Sequence, residues 1–218
     1  MPAHPPRLSP IPLLRRLAGR LVFALLAAVS LPVAAEVVNR VAIEHGVLAI
    51  DHGKSIAEIT QAQARGGRPA QYGLGLFVNN IEFELSIGGA PAPKGVLAMA
   101  TRIRTRPTIY IARELPKGSC AFAAVLEHEQ KHYAFDFDVL RAMPDEAGKI
   151  ARDVFSGTAT ASERNMQAAK GLFFQRVKYV YEALSFAQHV GIDNPASYAQ
   201  LAGVCDGEIG KRIRARPR

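Results

Sequence analysis

The chain has 218 residues, of which 27 are Lys or Arg and 19 are Asp or Glu, giving a formal net charge of +8. The excess sits at the two ends: Arg7, Arg15, Arg16 and Arg20 precede the first acid, Glu36, and Lys211, Arg212, Arg214, Arg216 and Arg218 close the chain. Without those nine, 18 basic residues face 19 acidic ones, so the body is near neutral and the charge argues against a nucleic-acid partner; a basic end of this kind suits an anionic surface.

The N-terminal arginines are followed by the apolar run "LVFALLAAVSLPVAA", which closes on Val33-Ala34-Ala35. This order predicts a secretory signal peptide cut after Ala35, leaving 183 residues in the periplasm or outside the cell. The run is short for a membrane span and is interrupted by Pro32, so no stable insertion is expected after cleavage. Residues 36–210 are expected to form one domain, with 211–218 a disordered basic tail.

From Glu36 to Arg113 the pattern is extended. "GVLAID" reads as a strand and "KSIAEITQAQAR" as a short helix stopped by Gly66-Gly67. "QYGLGLFV", "IEFELSIGG", "VLAMATRIRT" and "TIYIAR" read as further strands separated by Gly, Pro and Asn, and "GGAPAPKG" as a loop. After "LPKG" the period becomes helical. One helix is expected over 119–141 with Ser119 as N-cap, a second over 145–155 after Pro144, and a third over 161–190. In the third, Met166, Ala169, Phe173, Val177, Val180, Leu184 and Ala187 form an apolar stripe, and "GIDNP" ends it. Strands followed by helices predict an α+β domain with a mostly antiparallel N-terminal sheet. Cys120 and Cys205 are the only cysteines, and an even count in an exported chain predicts one disulfide, with two metal-binding or free thiols as the alternative.

The chemistry is concentrated in "LEHEQKHYAFD", which spells His-Glu-x-x-His at His128, Glu129 and His132. Histidines one helical turn apart project from one face and can share a metal ion, while the glutamate between them stays within reach as a base. On a helical wheel Glu127, Gln130, Lys131, Ala134, Asp138 and Arg141 form a solvated face. Phe122, Leu126, Tyr133, Phe137 and Leu140 form a packed one, and the histidines fall in a third sector with Ala121, Val125, Phe135 and Val139. Two histidines turned inward need partners, and a metal ion would satisfy both.

"LEHEQKHYAFD" preceded by "TIYIAR" resembles the active-site segment of zincin-type zinc metallopeptidases, and the exported chain more loosely resembles a bacterial family of secreted zinc-dependent proteases. The specific match covers about fifteen residues. The resemblance implies a zincin-like fold, Zn²⁺ held by His128 and His132, Glu129 as general base and acid, and a peptide or protein substrate lying along an edge strand, for which "TIYIAR" is in position. Gln130 and Lys131 depart from the usual zincin pattern, and "YAFDFD" lacks the glycine and third histidine of the metzincin extension.

The third ligand is left open. Asp136, one turn beyond His132, is the first candidate, as ligand or as a carboxylate orienting an imidazole. Glu163 lies in "TASE", which is also a capping box, and Glu182 falls opposite the apolar stripe. His189 suits a helix C-terminus, and His45 and His52 lie among the strands. Tyr110, Tyr133, Tyr179, Tyr181 and Tyr198 are equal candidates for an oxyanion donor. The competing function is a non-catalytic periplasmic binding or assembly module that keeps the helix with structural zinc or no metal.

Overall fold

A computed structural model describes residues 36–65, 73–88, 96–156 and 163–214. The expected signal peptide and most of the "GGAPAPKG" loop lie outside them. The described chain is α+β: strands come first, and four of the five helices follow in one block.

Strands β1 (Glu36–His45), β2 (Ala49–Asp51), β3 (Gly75–Ile87) and β4 (Val96–Ile111) form one sheet. β4 is its centre. β3 pairs with it antiparallel along one side, and β1 and then β2 pair with it parallel along the other. Two of the three pairings are therefore parallel, which corrects the expectation of a mostly antiparallel sheet. "TIYIAR" is corrected too: it is the end of the central strand, with Thr108–Tyr110 flanked by β2 and β3, and not an edge.

Four expected strand segments fuse into the two long strands β3 and β4. Asn79-Asn80 and Pro107 looked like breaks in the sequence. In the structure Asn79 lies opposite Pro107, so the two interruptions face each other inside one ladder. Pro107 has no N–H to donate. It lies where the outer strand is also broken, because His45 pairs with Thr105 and Ala49 with Thr108, leaving β1–β2 one residue longer than the stretch it faces. Gly46 makes that bulge: its N–H reaches Thr105 O at 2.9 Å, and a Cβ there would lie 2.2 Å from the same oxygen.

Helix α1 (Ile56–Arg65) starts on a capping box. Ser55 Oγ accepts from the Glu58 N–H, and the Glu58 carboxylate accepts from the Ser55 N–H. The outer face of the sheet carries ion pairs of Arg102, Arg104 and Arg106 with Glu44, Glu82 and Glu84, all solvated and therefore individually weak.

The inner face is covered by α2 (Cys120–Phe155), capped by Ser119, whose Oγ accepts from the Phe122 N–H. α2 runs unbroken through Pro144, where two helices were expected. A proline inside a helix costs about 3 kcal/mol. The turns after Phe137 bury Leu140, Met143 and Phe155, each contributing roughly 1.5–3 kcal/mol, so packing on both sides of Pro144 outweighs the lost bond.

Helix α3 (Glu163–Ile192) packs along α2. Its apolar stripe is buried at Ala169, Phe173 and Val177 but emerges at Leu184 and Ala187. Two short helices, α4 (Pro195–Gly203) and α5 (Glu208–Arg214), complete the described chain. α5 continues into residues expected to be a disordered tail and buries Ile209 in the core.

Two apolar clusters result. One joins the start of α2 (Ala121, Val125) to α1, the start of β3, the end of β4 and Ile209. The other joins the end of α2 (Leu140 to Phe155) to β1, the start of β4 and α3. Between them, the inward stripe of α2 is polar: His128, Glu129, His132 and Asp136 are all buried.

Candidate metal centre

Those four side chains meet different partners. Glu129 turns toward β3, where the Phe77 N–H donates to its carboxylate. It fits there because residue 75 is glycine: a Cβ would lie 2.6 Å from Glu129 Oε1 and 2.7 Å from its Cγ. Gly75 and Phe77 are residues of β3 whose backbone groups face away from β4, and the carbonyl of Gly75 is taken by Gln63 Nε2 at 3.1 Å. The outer edge of β3 is thus already engaged beside the site.

His128 and His132 reach the corner between α3 and α4. Asp193 stands in that corner. Its N–H bonds the carbonyl of His189 at 2.8 Å, closing the last turn of α3. Asn194 then caps α4, its side-chain oxygen accepting from the Ser197 N–H at 2.9 Å, with Pro195 at the first helical position. The Cys120–Cys205 disulfide, with Cα atoms 5.7 Å apart, ties the far end of this segment to the first turn of α2.

As a result Asp193 Oδ1 lies 3.2 Å from His128 Nε2 and 3.0 Å from His132 Nε2. One ligand atom from each of the three residues falls within 4.8 Å of the other two. A tetrahedral ion with bonds of about 2.05 Å separates its ligands by roughly 3.3 Å, so two edges of this triangle already have that size. Two imidazole nitrogens and one carboxylate oxygen are also the donor set of a three-ligand metal site that leaves a fourth position open. The group can hold a metal ion.

The electrostatics agree with that geometry. Burial alone would raise the Asp193 carboxyl, but hydrogen bonds from His128, His132 and Tyr198 and the charge of His132 hold it far below the usual carboxylate range. Burial pushes Glu129 above that range, with His132, His128 and the Phe77 N–H pulling it partly back. One carboxylate is therefore kept as an anion and the other is prepared to take up a proton.

Asp136 is not brought into this group. Its two oxygens accept from Asn79 Nδ2 at 2.7 Å and from Tyr181 OH, linking α2 to β3 and α3. Burial raises its pKa, against those two bonds and the charge of His45. His189 lies at the site: its Nδ1 is 2.6 Å from His132 Nδ1. His45 stacks on Phe137, and His52 bonds Leu115 O at 2.7 Å, both elsewhere. Glu182 is solvated near Lys178, and the Glu163 side chain and its capping box lie outside the described residues. Of the five tyrosines, Tyr198 is the one placed at the group, bonded to Asp193 with its ring 5.8 Å from that of His128.

Asp193 was the residue missed, because "GIDNP" looked complete as a helix stop. The signal available was the cysteine pair: joining Cys120 to Cys205 returns the chain after α3 to the start of α2, which favours His189 and Asp193 over any acid on α2 itself. Set against protein-family models, curated proteins and solved structures, the chain matches none.

Proposed function

We propose that the chain is an exported, zinc-dependent metallopeptidase in which His128, His132 and Asp193 hold the metal and Glu129 is the general base and acid. The observation that carries this reading is the pairing of a three-ligand group with a buried carboxylate on the same two turns of α2. A bound zinc supplies Lewis acidity toward the scissile carbonyl and activates water at neutral pH. Glu129, whose proton affinity is raised by burial, takes a proton from the attacking water and passes it to the leaving amine. Asp193, fixed as an anion, holds its share of the ion's charge, and Tyr198 holds Asp193. Export is supported by the disulfide, and among the described residues no helix is long and apolar enough to cross a membrane. The substrate is a peptide or protein, and it does not dock along "TIYIAR", because that segment is the sheet's centre.

The test joins metal content to hydrolysis of a denatured protein. Wild type should carry about one zinc per chain and cleave in a chelator-sensitive way. Asp193→Ala should lose the zinc. Glu129→Gln should keep it and lose about 10²–10⁴-fold in rate. Full activity in Glu129→Gln sinks the mechanism, and zinc without any cleavage in wild type supports a structural metal in a non-catalytic module instead.

A further inference from the structure

We propose that His189 orients His132 for the metal, its Nδ1 accepting a hydrogen bond from the His132 Nδ1–H. This rests on the metal reading above and concerns how the ligand is presented. The His132 ring is buried, 1% exposed, and both of its nitrogens are engaged. Nε2 lies 3.0 Å from Asp193 Oδ1 at the shared point, and Nδ1 lies 2.6 Å from His189 Nδ1.

Two imidazole nitrogens at that distance need one proton between them, one ring donating and the other accepting. The sense follows from the other side of the ring. When a metal ion takes the place of the Nε2 proton that otherwise bonds Asp193, the neutral His132 ring carries its one proton on Nδ1, so His132 donates and His189 accepts. Metal-bound histidines commonly make this bond to a carboxylate or a carbonyl, which fixes the tautomer and the ring plane. Asp136, one helical turn beyond His132, has one oxygen bound by Asn79 and the other by Tyr181.

His189 takes that place. It is held for the purpose, with its ring 4.6 Å from that of His132 and 6.4 Å from that of Phe77. It lies four residues before Asp193, whose N–H bonds the His189 carbonyl, so one turn of α3 delivers both a ligand and the group that aims another.

Two amide substitutions separate this role from simple packing. Asparagine can put a carbonyl oxygen where Nδ1 stands, whereas glutamine puts one where Nε2 stands. Zinc affinity of the purified protein is measured by competition with a chromogenic chelator. His189→Ala and His189→Gln should bind about 10–100-fold more weakly than wild type, and His189→Asn should recover most of the loss. In long-range ¹H–¹⁵N spectra of the zinc-loaded wild type, His132 should appear as the Nδ1–H tautomer with a slowly exchanging proton, lost in His189→Ala. Wild-type affinity in His189→Ala, or equal weakness in the Asn, Gln and Ala variants, overturns the orienting role and leaves the metal centre standing. Absence of zinc binding by wild type overturns both.

Discussion

Gly75→Ala tests the placement of the proposed base without touching any ligand. Gly75 lies in β3 and has no left-handed φ, so alanine suits its backbone and the effect is purely one of space. The new methyl would lie 2.6 Å from Glu129 Oε1, 2.7 Å from Glu129 Cγ and 2.7 Å from Val125 Cγ1. Ordinary contact begins at 3.4 Å, so the carboxylate must retreat by about 0.8 Å. It cannot simply swing, because it is buried and bonded to the Phe77 N–H on the same strand. Misplacing a reacting group by about 1 Å costs on the order of 100-fold, or about 2.7 kcal/mol in the barrier. Crowding against Val125 adds roughly 1–3 kcal/mol of destabilisation, a fall in Tm of roughly 2–12 °C for a domain of this size. The expected result is a kcat/KM about 100-fold lower on the denatured-protein substrate, with zinc still near one per chain. Wild-type kcat/KM in a folded, zinc-loaded Gly75→Ala protein would refute the assignment of Glu129 as the base.

Replacing Cys120 and Cys205 together by alanine removes a link across 85 residues of sequence and should cost about 4–5 kcal/mol. That corresponds to a Tm lower by roughly 8–20 °C, and a drop of only a degree or two in calorimetry would contradict it. Asp136 predicts a pH effect. Its folded pKa is raised by burial above the unfolded value, so the folded state binds this proton more tightly, and the stability it contributes at low pH is lost as pH rises through the folded pKa. Urea unfolding of metal-free protein at pH 4 and pH 7 should show wild type losing ground to Asp136→Asn across that interval; parallel behaviour of the two would count against a buried, destabilised carboxylate.

The helix that carries the motif was legible because its signals are local. Ser119 stands before the apolar period, and the wheel separates Gln130 and Lys131 from His128 and His132, as the burial confirms. Phe135 went the other way: the wheel grouped it with the histidines, yet it is exposed, because the inward face of α2 here belongs to polar side chains. Direction within the sheet was not legible. Whether β1 runs parallel or antiparallel to β4 depends on the chain between them, including α1 and β3, and no residue of β1 encodes it. Pro107 and Pro144 were both read as boundaries, and each is overridden by contacts distant in sequence: the bulge at Gly46 in one case, the cluster around Phe155 in the other. The same limit hid Asp193. It stands 61 residues beyond His132, and its local context of helix end, asparagine cap and proline explains it fully until the disulfide places it.

Helix α2 is 36 residues long, a rod of about 54 Å, anchored at both ends in different apolar clusters. Adding or removing one residue between Val125 and Val139 would turn one anchor by about 100° relative to the other and take either Ala121 and Val125 or Leu140 and Met143 out of register with the sheet. The stretch that holds His128, Glu129, His132 and Asp136 is therefore closed to insertions and deletions, whatever its chemistry. Its side chains can be exchanged one at a time, but its length is set by the two cores it joins.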